Sequence, residues 1–118
     1  MPFVDGFVAP VPVANKEAYI ASAKNASKLF KEFGALHIHE CWGVDVPDGE
    51  VTSFPMAVKK TEDEVVVLSW IIWPDKETRD TCHAAMDSDP RWQQVFEGGM
   101  PFDGKRMIYG GFETLFEV

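Results

Sequence analysis

The sequence predicts an α+β domain of the ferredoxin-like kind: order βαββαβ, a four-stranded antiparallel sheet with helices on one face, doubled into a dimeric α/β barrel. Three observations carry this. A 3.6-residue apolar stripe near the N-terminus marks a long helix, the run VVVLSWIIW at 65–73 marks a strand apolar on both faces, and turn residues punctuate the chain at the intervals that a split βαβ unit requires. The 118 residues, 46% hydrophobic and 25% charged, suffice for one core, so a single domain over 1–118 is expected.

The elements follow in order. Residues 3–13 read as the first strand, closed by Pro10 and Pro12, which lack an N–H for a sheet ladder. Asn15 is placed to cap a helix running to about Phe33, with Tyr19, Ala23, Ala26, Phe30 and Phe33 on its apolar stripe and Gly34 as its left-handed stop. Residues 35–46 form a second strand, ended by the turn triplet Pro47-Asp48-Gly49. Within the connection that follows, Ser53-Phe54-Pro55 opens a short helical turn through Val58, and 64–73 is the third strand. Pro74-Asp75 starts the next helix, with Cys82, Ala85 and Met86 inward, and Asp89-Pro90 opens a shorter one. Residues 105–118 are the last strand, interrupted at Gly110-Gly111 by a bulge or a close backbone approach.

Two helices cover one face of such a sheet, yet the other face is not polar. The third strand is apolar on both sides, at Val65, Val67, Ile71 and Trp73 and at Val66, Leu68, Trp70 and Ile72, and the last offers Met107, Tyr109 and Leu115 on one side and Ile108, Phe112 and Phe116 on the other. Leaving these in water costs about 25 cal/mol for each Å2 and creates an adhesive patch. Pairing with a second copy solves both problems, so a homodimer is expected.

Charge and composition exclude several classes. A net charge of −8 and the absence of any basic stripe argue against nucleic acid and anionic membranes as partners. YGGFETLF echoes the aromatic RNA-recognition motif of this same fold, but in the wrong strand and without flanking basic residues. No apolar run reaches the roughly 20 residues of a membrane span, and the opening MPFVDGF has neither the charged nor the apolar region of a signal peptide. Cys41 and Cys82 fall on different elements, so a reducing cytoplasm is the simpler setting.

Chemistry-bearing residues are few. On a strand, His37, His39 and Cys41 point to one face, and two histidines at i, i+2 would share a metal if Asp5 or Glu113 supplied a further ligand. The plainer reading, histidines lining a half-polar sheet face, carries more weight, and no metal or cofactor is expected. Asp5, Glu40, Ser69 and Glu113 are polar groups inside apolar strands. Carboxylates so placed must be ion-paired or have raised pKa values, and Lys105 or Arg106 would serve as structural partners. The candidate catalytic set is therefore Asp5, His37, His39 and Glu40, as acids and bases. The candidate ligand-binding set is Trp42, Phe54, Ser69, Trp70, Arg106 and Tyr109, lining a pocket for an aromatic molecule.

The stretches DGFVAPVP at 5–12, EC at 40–41 leading through DVP to GEVTSFP at 49–55, SW at 69–70, RD at 79–80, DPR at 89–91 and above all MPFDGKRMIYGGFE at 100–113 resemble an uncharacterised bacterial family, domain of unknown function 1428. The resemblance implies a dimeric α/β-barrel fold and no established activity. Within the wider superfamily stand cofactor-independent monooxygenases, haem-degrading enzymes, isomerases and ligand-binding regulatory domains, so fold alone does not choose among them. Two expectations result. One is a homodimer holding a small apolar or aromatic molecule in a sheet-lined cavity, with monooxygenase- or isomerase-like chemistry. The alternative is a non-catalytic ligand-binding or dimerisation module. The loops 45–55 and 100–105, rich in matching residues, would close a barrel mouth or wrap a dimer edge.

Overall fold

The strand predicted from VVVLSWIIW lies inside the sheet, and the fold is arranged around it. The computed structural model describes all residues, Met1–Val118. Its strands are β1 (Phe3–Pro12), β2 (His37–Trp42), β3 (Glu64–Trp73) and β4 (Ile108–Glu113), in the sheet order β2-β3-β1-β4 with every neighbouring pair antiparallel. The helices are α1 (Lys16–Glu32), a single turn α2 (Phe54–Ala57), α3 (Lys76–Met86) and the short α4 (Pro90–Val95). This is the ferredoxin-like α+β arrangement that the element order predicts.

Side chains of paired residues share a face, so the register sorts the sheet into two sides. The helix-covered side carries Phe3, Asp5 and Phe7 of β1, Ser69, Ile71 and Trp73 of β3, Ile38, Glu40 and Trp42 of β2, and Tyr109 of β4. Its core is Leu29, Ala35, Ile71, Trp73, Cys82 and Trp92, with Phe30 of α1 and Phe33 just after it closing on Trp92 at ring distances of 4.7 and 6.0 Å. The opposite side carries three cross-strand rows: His37, Ile72, Val4 and Phe112; His39, Trp70, Gly6 and Gly110; Cys41, Leu68, Val8 and Ile108. No helix covers these rows. Only one end of this face is roofed, where Val58, just after α2, packs on Val8 and Val66.

Several local expectations are refined. The pairing of β1 with β4 stops at Val8, so Pro10 and Pro12 fall where β1 has a partner on one side only. Asp75, Asp89 and Ser53 each cap a helix by accepting a backbone N–H, but Asn15 does not: its side-chain amide instead donates to the Pro101 carbonyl at 2.9 Å. The second strand is shorter than the sequence suggests, and the last ends at Glu113, leaving 114–118 outside any element. Gly110-Gly111 is not a bulge, because the β1–β4 register runs unbroken through it. A Cβ at Gly111 would stand 2.6 Å from Arg79 Nη2 and 2.8 Å from the Phe3 ring, so close approach is what this glycine serves.

Candidate functional site

The register places Glu40 opposite Ser69, Ser69 opposite Phe7, and Phe7 opposite Tyr109, one row across all four strands on the helix-covered side. Three residues singled out from the sequence thus stand in line. Above the row runs the first turn of α1. The Tyr19 hydroxyl donates to Glu40 Oε1 at 2.6 Å. Phe102, from the loop before β4, rests against the Tyr19 ring at 5.7 Å, and Asn15 holds that loop through Pro101. Lys16 sits over the Trp42 ring at 5.2 Å, and Phe7 and Tyr109 lie 6.4 Å apart in a near-parallel stack. Tyr109 is exposed, so the row opens to solvent at the β4 edge.

The electrostatics single out Glu40. Loss of hydration among the packed neighbours pushes its pKa up, and this outweighs the hydrogen bond from Tyr19 and the nearby Ser69 hydroxyl, both of which favour the charged form. Solvent reaching the outer side of the residue tempers the rise. Burial, then the adjacent carboxyl, pushes the Tyr19 phenol up as well. A carboxyl with raised proton affinity, in contact with a phenol, open to solvent on its outer side and followed by Trp42 on the same face of β2, can take and return a proton.

The other candidate acids and bases are elsewhere. Asp5 is on the same side, one row away and buried. It accepts from Arg79 Nη2 at 2.9 Å and Nε at 3.0 Å and from Trp73 Nε1 at 2.9 Å, with His83 Nε2 at 3.2 Å. Its ionic partner is Arg79, not Lys105 or Arg106. His37 and His39 are on the open side with Trp70, whose ring stacks on His39 at 4.9 Å. The sheet therefore stands between the histidines and both Asp5 and Glu113, and the four-residue catalytic set does not converge. No three His, Cys, Asp or Glu side chains gather as a metal site would need.

Arg106 makes a different structure from the ligand contact expected of it. Its guanidinium grips Glu64 through both terminal nitrogens, donates to the Lys59 carbonyl at 2.9 Å and to Asp103 at 3.0 Å, and so clasps the end of the β2–β3 connection to the loop before β4. Phe54 lies half-exposed on α2, away from the Glu40 row. Two shallow clefts of about 340 and 330 Å3 lie on the outer surface beside α1, and neither contains a residue predicted as a site. Tyr19 was invisible as a site residue because it fits the helix's apolar stripe; only the register of β2 reveals the partner of its hydroxyl.

Fold and row together define a ferredoxin-like α+β protein with a carboxyl–phenol pair between sheet and helix. Solved structures share this fold. An uncharacterized NIPSNAP domain protein from Burkholderia xenovorans superposes with a TM-score of 0.59 at 13% identity, covering 95% of this chain and 93% of that one. A dimeric ferredoxin-like protein from an uncultured marine organism superposes with a TM-score of 0.57 at 15% identity over the whole of both chains. The family is more specific: the model described as "Protein of unknown function (DUF1428)" matches residues 2–104, and the chain belongs to that family. It is 59% identical over 117 residues, 99% of both chains, to the uncharacterized protein YbaA of Escherichia coli strain K12.

Proposed function

We propose that this protein works as a homodimer and binds a small aromatic or largely apolar molecule over the Glu40–Ser69–Phe7–Tyr109 row, where Glu40 and Tyr19 move a proton to or from it. The observation that carries this reading is the 2.6 Å contact from the Tyr19 hydroxyl to Glu40, made by a carboxyl whose proton affinity is raised by its surroundings. Isomerisation through an enol fits such a pair, since it needs only a base, an acid and an apolar wall. Trp42 and Ser69 border the guest, and Phe102 covers it from the loop.

Dimerisation is supported by the uncovered rows, where Leu68, Ile108 and Phe112 remain exposed, and by the dimeric ferredoxin-like protein from an uncultured marine organism that shares this fold. A cytoplasmic setting belongs to the same reading, supported by two free thiols, Cys41 and Cys82; no helix is long and apolar enough to cross a membrane.

The test uses 2-tetralone, an enolisable aromatic ketone, in D2O. The protein is expected to accelerate deuterium exchange at the carbon next to the carbonyl, followed by proton NMR, and Glu40→Gln to abolish the acceleration. Exchange at the buffer rate between pH 5 and 9 would overturn the proton-transfer reading. Native mass spectrometry of the same sample reads the subunit count and any retained small molecule.

A further inference from the structure

The open face of the sheet is uneven in its middle row, and the unevenness is self-complementary. There His39 of β2 and Trp70 of β3 stand with their rings stacked at 4.9 Å. Beside them Gly6 of β1 and Gly110 of β4 pair with each other and carry no side chain. Half of the row is a ridge and half is a hollow. The flanking rows, His37, Ile72, Val4 and Phe112 on one side and Cys41, Leu68, Val8 and Ile108 on the other, carry a side chain on every strand. Phe112 borders the hollow: a Cβ on Gly6 or Gly110 would meet its ring at 3.6 or 3.5 Å, both ordinary contacts. That ring is 60% exposed, so the hollow offers bare backbone beside an aromatic wall.

We propose that two copies meet open face to open face about a two-fold axis parallel to the strands, so that the Trp70–His39 ridge of each seats in the glycine hollow of the other. This rests on the homodimer proposed above and gives it an arrangement. An axis lying between the facing sheets, along the line between β3 and β1, exchanges β3 with β1 and β2 with β4 and keeps every row on itself. Trp70 then lies over the partner's Gly6 and His39 over the partner's Gly110. One operation makes both contacts twice, as a self-complementary interface requires. An axis across the strands would instead set Trp70 on the partner's Trp70 and glycine on glycine, leaving a gap of the kind that packed interiors do not hold. Pairing along the strands belongs to the aligned class of sheet packing.

The sheet edges agree with this choice. β1 is antiparallel to both β3 and β4, and β3 is antiparallel to β2, so the two edge strands β2 and β4 run in opposite directions. A two-fold axis along the strands preserves direction. It therefore brings the free edge of β4 beside the partner's β2 in the antiparallel sense, which can pair two edges that a single copy leaves exposed.

The area suffices. Four strands and three open rows cover about 19 Å by 20 Å, or roughly 400 Å2 in projection. Side-chain relief about doubles this, which reaches the roughly 800 Å2 that each partner gives to a stable interface.

The experiment uses the full chain and its native Cys41. Within one copy Cys41 and Ile108 stand at opposite ends of a row, about 14 Å apart across three strand spacings, whereas the proposed axis brings Cys41 to the partner's Ile108. Ile108→Cys treated with a short bismaleimide is expected to give a covalent dimer whose 41–108 link is mapped by mass spectrometry, with buried Cys82 unreacted. In a second variant, Gly6→Leu fills the hollow and is expected to weaken the dimer at least tenfold by sedimentation, with an unchanged circular dichroism spectrum. A dimer that gives no 41–108 link would overturn this arrangement. So would a Cys41–Cys41 link in the unmodified protein, or a folded Gly6→Leu dimer of unchanged affinity; each of these leaves a homodimer standing. A native protein that is monomeric at micromolar concentration would overturn the arrangement and the homodimer together.

Discussion

Arg106 closes both terminal nitrogens on the carboxylate of Glu64, Nη1 to Oε1 at 2.8 Å and Nη2 to Oε2 at 2.6 Å. Glu64 is buried at the start of β3, Thr61 adds a backbone N–H at 2.8 Å, and Arg106 also holds Asp103 and the Lys59 carbonyl. The pair thus ties the β2–β3 connection to the loop that carries Phe102 over Tyr19.

This pair sets an acid limit on stability. The Arg106 hydrogen bonds, against the cost of burial, hold the Glu64 pKa down to about 2. A folded value below the unfolded one, about 4.3, stabilises the fold above the unfolded value, and that stabilisation is lost as pH falls from there through about 2. The size is on the order of 3 kcal/mol, from roughly 1.4 kcal/mol for each pKa unit. Urea unfolding from pH 6 to pH 2 is expected to show Glu64→Gln less stable at neutral pH and with a flatter acid slope. Equal slopes would deny the pair this role.

Asp5 is the most demanding buried group on the helix side. Asp5→Asn keeps the shape but leaves the Arg79 guanidinium without its carboxylate, and removing one member of a buried pair costs about 3–5 kcal/mol. A loss of that order in chemical denaturation is expected. A loss under about 1 kcal/mol would show that solvent already satisfies Arg79.

Tyr19→Phe makes a signed prediction at the candidate site. The phenol donates to Glu40 and favours its charged form, so its removal is expected to raise the Glu40 pKa further, read by carbon NMR of the labelled carboxyl. An unchanged or lowered value in the variant would mean that the hydrogen bond is not made in solution.

Two glycines separate steric from conformational causes. Gly111→Ala meets Arg79 and Phe3 at under 3 Å and is expected to cost about 1–3 kcal/mol, as overpacking does. Gly98 has open space around it but a φ of +85°, so Gly98→Ala is expected to cost only about 1 kcal/mol, through backbone strain. Thermal unfolding of the two variants checks the order.

The Cys82 thiol lies in the core. Burial, with the Asp5 charge behind it, pushes the Cys82 thiol up to about 12, so at pH 8 it is expected to ignore Ellman's reagent until the protein unfolds. Rapid reaction of Cys82 in the native protein would contradict its place in the core.

Element order was legible because each element carries its own period: the α1 stripe, the two-sided apolar run of β3, and the Asp-Pro opening of α4 all read locally. The sides of the sheet were not. Asp5, Glu40, His37 and His39 look alike as polar residues in strands, and only the pairing of β2 with β3, a tertiary property, parts the histidines from the carboxylates. Arg106 and Tyr19 were misjudged for a related reason: what each touches lies 42 and 21 residues away along the chain. The absence of a bulge at Gly110-Gly111 was likewise a matter of register.

That glycine pair has an evolutionary consequence. Gly110 faces the open side, where a Cβ would meet the Phe112 ring at 3.5 Å, and Gly111 faces the helices, where Arg79 and Phe3 fill the space. Only Gly111 is required by its neighbours; at Gly110 the distance is ordinary van der Waals contact and a methyl group fits. Deleting a single residue upstream in β4 would move Phe112 into the place that Arg79 and Phe3 fill, and inserting one would turn Tyr109 to the open side. A change of length inside β4 therefore turns every side chain after it to the other face of the sheet, whereas the loops at either end absorb one without that reversal.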